Sequence, residues 1–283
     1  MVQWNHRGGN KMKKKDILTY VGLGGGIVCI IFGMLYGSTL EVAKGFWNIP
    51  SLFITVGGSL TATLITYPSA QLKKLGKVCM VTFRDIEFSS LDLMKQFTNL
   101  SRKARREGLL SLEEEVATFG DDFLKKGMQM VVDGIEPDII RNIMEQEINE
   151  LENRHEKNSG MLKTWGGYGP AFGMIGTLMG LVQMLADLSD MSGLASGMAA
   201  ALITTFYGAV MANAFLNPMA ANLEYKTSVE VNSREMMLEG ILAIQSGVNP
   251  RIVEEKLISY LSTEERTQYL KNVSTESEVT EDV

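Results

Sequence analysis

Apolar and charged positions are strongly segregated along this chain. Between Lys163 and Glu224 the only formal charges are Asp187 and Asp190, which leave two uncharged runs, 164–186 and 191–223. A bilayer core about 30 Å thick takes about 20 apolar helical residues, so the two runs predict a membrane hairpin with a short acidic turn. Two more charge-free runs come earlier. Residues 17–40 carry Leu18, Val21, Leu23, Ile27, Val28, Ile30, Ile31 and Phe32 and predict a first span. After Glu41 and Lys44, residues 45–72 are again uncharged, with Pro50 suited to the first turn of a second span. The pattern predicts an all-α membrane protein with four transmembrane helices, two plus two, and a large helical domain between spans 2 and 3.

The polar segments are helical as well. Residues 73–163 show no alternating strand pattern, and Leu93, Met94, Phe97 and Leu100 form an apolar stripe. Ser111-Leu112-Glu113-Glu114 has the spacing of a capping box, which predicts a helix start with an acidic first turn. A longer helix begins near Pro137. Its Ile140, Ile143, Met144, Ile148 and Leu151 form a face needing an apolar partner, for which Met236, Met237, Ile241 and Leu242 are the candidates. Asn249-Pro250 opens a short helix through Leu261.

The expected organisation is a cytoplasmic segment 1–15, a membrane hairpin 16–72, a cytoplasmic helical domain 73–163, a second hairpin 164–223, cytoplasmic helices 224–261 and a disordered acidic tail 262–283. Residues 1–11 have the look of an upstream extension or tag, because Met12-Lys13-Lys14-Lys15 resembles a natural start. Lys11, Lys13, Lys14 and Lys15 precede span 1, Lys73, Lys74 and Lys77 follow span 2, and Lys163 and Lys226 flank the second hairpin. The two hairpin turns hold one Lys between them. This asymmetry places both termini and the middle domain in the cytoplasm.

Composition changes the picture inside the spans. The chain is 45% hydrophobic with a net charge of −6, and span 3 carries Gly166, Gly167, Gly169, Gly173, Gly176 and Gly180. Gly169 and Gly173, Gly176 and Gly180, Gly197 and Ala201, and Gly208 and Ala212 each stand one turn apart. Such spacings let helices approach closely in lipid, either within one chain or between copies. Thr177, Gln183, Thr204, Thr205, Tyr207, Asn213 and Asn217 punctuate the same helices and serve either as glue or as the lining of a wet path. No Asp, Glu, Lys, Arg or His lies inside any apolar run. A charge at that depth costs roughly 2.5–3.5 kcal/mol and marks an ion path where it occurs. If ions cross this protein, the titrating group belongs to another chain.

Other chemistry is missing. Gly22-Leu23-Gly24-Gly25-Gly26 lies in an apolar run rather than after a strand, so it is no phosphate loop. Cys29 and Cys79 are too few for a disulfide framework or metal cluster, and His6 and His155 are far apart. No nucleophile stands with a base, so neither an enzyme nor a cofactor is expected. Arg102, Lys103, Arg105 and Arg106 are followed across Gly108 by Glu113, Glu114 and Glu115. This is either a solvated helix end or a docking surface displaying both signs. The patch is too small, and too closely offset by acids, for nucleic acid.

The four spans, the helical domain between them and the run Tyr168-Gly169-Pro170-Ala171-Phe172-Gly173-Met174-Ile175-Gly176-Thr177-Leu178-Met179-Gly180 resemble the MotA/TolQ/ExbB superfamily. The resemblance runs from Met12 to about Leu261. Within the superfamily the four-span topology is similar to that of MotA-type flagellar stator subunits, since the TolQ and ExbB members have three spans. The resemblance implies a stator subunit of the inner membrane that forms, with MotB, a channel converting ion motive force into torque on the rotor protein FliG. It further implies a ring of five chains around two copies of MotB, whose membrane aspartate carries the ion. Arg105-Arg106-Glu107-Gly108-Leu109-Leu110-Ser111-Leu112-Glu113 resembles the rotor-contacting motif, implying that role for Arg105 and Glu113, with Arg106 as the register alternative. Pro170 and Pro218 resemble the prolines flanking the channel, and Thr205 the hydroxyl facing the partner's aspartate. Thr177 resembles a hydroxyl of sodium-driven stators, while the family's majority points to protons. The rivals are an ExbB/TolQ-type ion-driven energy transducer and a non-conducting membrane scaffold.

Overall fold

The computed structural model describes residues 16–36, 45–85, 89–186 and 191–271. The expectations for residues 1–15, for Glu41 and Lys44, for the Asp187 and Asp190 turn and for the tail beyond 271 lie outside them. The described residues are helical, without a strand.

Helix α1 (Ile17–Leu35) starts on Asp16, whose carboxylate accepts from the Thr19 N–H at 3.1 Å and the Thr19 hydroxyl at 2.7 Å. Helix α2 (Ile49–Thr66) is capped by Asn48, has Pro50 in its first turn and widens into a π turn over Phe53–Gly57. It ends at Tyr67, which is extended because the ring of Pro68 excludes helical backbone before it. Short helices α3 (Ser69–Leu72) and α4 (Leu75–Thr82) follow. Next come α5 (Ser90–Glu107), a 3-10 turn over Leu109–Leu112, α6 (Glu113–Ala117), α7 (Asp122–Val132) and the 50-residue α8 (Pro137–Ala186). Helix α9 runs over Met191–Val210, through a π turn at Met211–Leu216, into Asn217–Gln245, and α10 covers Pro250–Ile258. Four of these, α1, α2, α8 and α9, are long and apolar enough to cross a membrane.

The described residues form two compact units, 89–153 with 227–271, and 16–85 with 154–226. The boundaries expected at 163/164 and 223/224 fall inside α8 and α9, which continue unbroken through them. Met161 and Leu162, just outside the bilayer-length run, are fully buried and belong to the same compact unit as the spans.

The first unit closes on large apolar side chains. The α5 stripe Leu93, Met94, Phe97 and Leu100 meets Ile140, Met144 and Ile148 of α8 and Met236, Met237, Ile241 and Leu242 of α9, the partners the pattern predicted. Gly240 leaves room for the Phe97 ring, and Gly127 for Ile241 and Met144, where a Cβ would stand within 2.8 Å of each. Ile143 differs from expectation: it is 38% exposed, at the edge of the α8 face, and Leu151 is buried outside this cluster.

Two end signals also differ. Ser111 does not cap α6: its hydroxyl donates back to the Gly108 carbonyl at 2.7 Å, and the preceding 3-10 turn already carries the chain into Glu113. A reciprocal capping box does form at Ser262-Thr263-Glu264-Glu265, where the Glu265 N–H donates to the Ser262 hydroxyl at 3.2 Å and the Ser262 N–H to the Glu265 carboxylate at 3.0 Å. It starts a helix, α11, over 263–271, where the sequence pattern predicts disorder. Tyr269 packs on the core and donates to Glu254, which anchors that segment.

Candidate functional site

The second unit is held together by what its helices lack. A Cβ on Gly169 would stand 3.1 Å from the Gly208 carbonyl oxygen, on Gly173 3.0 Å from that of Thr204, and on Gly180 2.7 Å from that of Gly197. On Gly176 it would meet the Thr204 side chain at 2.5 Å. These contacts climb α8 as they descend α9, so the two spans pack antiparallel, backbone to backbone. The glycine and alanine spacings therefore serve contact within the chain.

Helix α2 seals the pair with hydroxyls that the sequence reading passed over. Ser51, Thr55, Ser59 and Thr63 recur every four residues and are all buried. Ser51 donates to the Ala200 carbonyl at 3.4 Å and Thr55 to that of Thr204 at 3.3 Å, while Ser59 accepts from the Trp165 indole N–H at 3.1 Å. Gly58 admits the Phe172 ring, and the Tyr67 and Thr164 hydroxyls bond at 2.9 Å. The four-residue hydroxyl repeat was the available signal.

Tight packing on one side of α8 leaves an open groove on the other. Pro170, Ala171, Met174, Thr177, Leu178 and Thr205 line it, with a volume of about 610 Å³. No formal charge lines it. The Thr177 hydroxyl stands 3.1 Å from both the Gly173 and Ala201 carbonyl oxygens and is hydrogen-bonded to the Thr205 hydroxyl. When Thr177 donates to a carbonyl and accepts from Thr205, the exposed Thr205 oxygen offers lone pairs to the groove. When Thr205 instead turns its proton outward, it offers a donor. One neutral pair can therefore meet a protonated or an ionised guest.

Pro218 does not line this groove. It follows the π turn at Met211–Leu216, whose widened backbone absorbs the hydrogen bond that a proline inside a helix cannot donate. The neighbouring buried cation, Lys226, lies beyond the apolar run. Its ammonium donates to the Thr82 and Arg84 carbonyls at 2.6 Å each and pairs with Asp16 at 3.3 Å. The Thr19 hydrogen bonds, with Lys226 assisting against burial, hold the Asp16 carboxyl below its ordinary value. Burial pulls the Lys226 ammonium down by more than Asp16 raises it.

The charged candidates lie in the other unit. Arg105 and Arg106 occupy the last turn of α5, and Glu113 opens the first turn of α6; all three are exposed. Lys103 and Glu115 pair across the turn at 3.2 Å.

The sequence profile described as the MotA/TolQ/ExbB proton channel family matches residues 115–236. Motility protein A of Treponema pallidum is 43% identical over 89% of this chain and 96% of its own. The chain belongs to the MotA/TolQ/ExbB proton channel family. Among solved structures, the flagellar MotAB stator complex from Bacillus subtilis matches with a TM-score of 0.83 and 30% identity, over 90% of this chain and 99% of that one. C. jejuni MotAB matches with a TM-score of 0.79 and 26% identity, over 88% and 96%. Within the family this is a flagellar stator subunit and not an enzyme. The profile match takes in the groove and the glycine contacts but begins after Arg105 and Glu113; the relatives of full length span both regions.

Proposed function

We propose that this stator subunit forms a neutral sleeve for an ion-carrying carboxylate donated by MotB. The observation that carries the proposal is the charge-free groove with Thr177 and Thr205 hydrogen-bonded at its wall. A foreign aspartate seated there meets Thr205 as donor when ionised and as acceptor when protonated, so the wall fits both states of a carboxyl that loads and releases a proton. The solved stator complexes that the fold matches contain MotB chains by name, which supports that partner. A ring of five copies around two MotB chains follows from the family resemblance.

Each elementary charge that crosses gains about 2.3 kcal/mol per 100 mV of potential. Repeated crossings drive the ring around MotB, and the exposed Arg105 and Glu113, with Arg106 in the neighbouring register, engage FliG. Protons are the proposed ion, with sodium as the alternative that Thr177 raises. The lysine asymmetry supports an inner-membrane orientation with both termini in the cytoplasm.

Thr205→Val keeps shape and removes the hydroxyl. It is expected to stop swimming and ion conduction while leaving the complex with MotB intact in the membrane; normal swimming refutes the sleeve. Swimming in sodium-free medium should persist, and its arrest assigns sodium instead. Charge reversal at Arg105 or Glu113 should stop swimming with conduction unchanged, and wild-type swimming removes the rotor contact from this face.

A further inference from the structure

The 3-10 turn joining α5 to α6 sorts its three leucines unequally. Leu112 is fully buried and Leu109 packs on the core, whereas Leu110 is 73% exposed. Among the described residues of its unit it is the most exposed large apolar side chain. The geometry is enforced: side chains three apart in a 3-10 turn share one side, so fixing Leu109 and Leu112 inward turns Leu110 out. Gly108, at φ +87°, makes the sharp exit from α5 that sets this register.

The surroundings of Leu110 separate it from an ordinary exposed leucine. The turn joins the Arg105 and Arg106 end of α5 to the Glu113 and Glu114 end of α6, and all four residues are exposed. Lys103 and Glu115 neutralise each other and tie the helix ends together. Among the described residues, Arg105, Arg106, Glu113 and Glu114 have no ion-pair partner. An apolar knob thus stands between two unneutralised pairs of charges, one basic and one acidic. Tight protein contacts concentrate their energy in such a centre, with a polar rim that excludes water and steers approach.

We infer that Leu110 is the apolar anchor of the rotor-facing surface, inserting into a hydrophobic socket on the partner protein. The socket is flanked by acidic side chains toward Arg105 and Arg106 and by basic ones toward Glu113 and Glu114. The charges orient the encounter and the leucine holds it. This rests on the proposal that the α5–α6 face meets FliG.

The test uses the full chain co-expressed with MotB in motile cells, with Arg105→Glu as reference. Leu110→Ala should weaken rotor engagement about tenfold, the loss expected for part of a buried aliphatic anchor. Leu110→Asp should stop swimming, and Leu110→Met should swim nearly as wild type, all at unchanged membrane levels. A photo-crosslinking residue at position 110 should capture FliG. If the Leu110 variants swim normally while Arg105→Glu does not, the anchor is refuted and the rotor face stands. If all swim normally, both fall. Loss of the Leu110→Ala protein from the membrane, or crosslinks that never include FliG, also overturns the anchor.

Discussion

The membrane helices and the unit formed by 89–153 and 227–271 are both all-helical, yet they close on opposite kinds of side chain. The latter buries Phe97, Met94, Leu100, Met128, Met144 and Ile241, the large apolar groups that water expels. The spans bury Ser51, Thr55, Ser59, Thr63, Thr204, Ala201 and Ala212, with glycine at the crossing points, and turn Leu18, Phe53, Ile65 and Leu202 outward. Lipid is as apolar as leucine, so large apolar groups gain nothing by burial there; close backbone approach and hydrogen bonds hold the helices instead. One chain thus uses two packing rules, each set by its solvent.

The sharpest way to break this contrast is Gly208→Ala. Its Cβ would lie 2.5 Å from the Gly169 carbonyl oxygen and 3.1 Å from the Pro170 Cα, both backbone, so α8 and α9 must part. Loss of assembled complex from detergent-solubilised membranes is the expected result. In the other unit, Phe97→Ala opens a cavity and should cost about 3–5 kcal/mol, read as a lower melting temperature and faster proteolysis of the helical unit. If the two effects were equal in kind, a partial loss of stability in each, the two-rule picture would fail.

Lys226→Met removes a buried cation from Asp16 and two carbonyls. A cost of about 1–3 kcal/mol is expected, since the half-buried Asp16 carboxylate loses its counter-charge and the Thr82 and Arg84 carbonyls lose their donor. The accompanying pH dependence has a definite sign. A carboxyl held below its ordinary value of 3.8 stabilises the fold above that pH, and the contribution disappears as pH falls through the lowered value. The melting difference between wild type and Asp16→Asn should therefore shrink on acidification and stay flat above about pH 5.

Thr55→Val deletes one interhelical hydrogen bond and should cost only about 0.6 kcal/mol in a folding titration in detergent. Smallest of all is Gly25→Ala. That glycine has nothing within 4 Å in this chain, so melting of the isolated subunit should not change.

The span count, the helical middle and the α5–α8–α9 core were legible because burial imposes a 3.6-residue period and a membrane imposes a length. The groove was half legible: Pro170, Thr177 and Thr205 could be singled out by type, whereas Met174 and Leu178 of its lining carry no such signal. The capping box shows the local limit. Ser111 and Ser262 carry the same spacing, and only the latter caps, because Ser111 sits in a 3-10 turn that directs its hydroxyl to Gly108.

By itself the sequence determined that four apolar runs carry no charge, because composition alone decides the cost of charge in lipid; under the function proposed above, a migrating ion then rides on another chain's group. Only the tertiary structure decided that the glycines join α8 to α9 within one chain, that Thr177 and Thr205 share a hydrogen bond, and that Leu110 faces outward. Each of these depends on which side of a helix meets a neighbour, and that is set by contacts between distant segments, such as Thr55 with Thr204, 149 residues apart, beyond the reach of any local pattern.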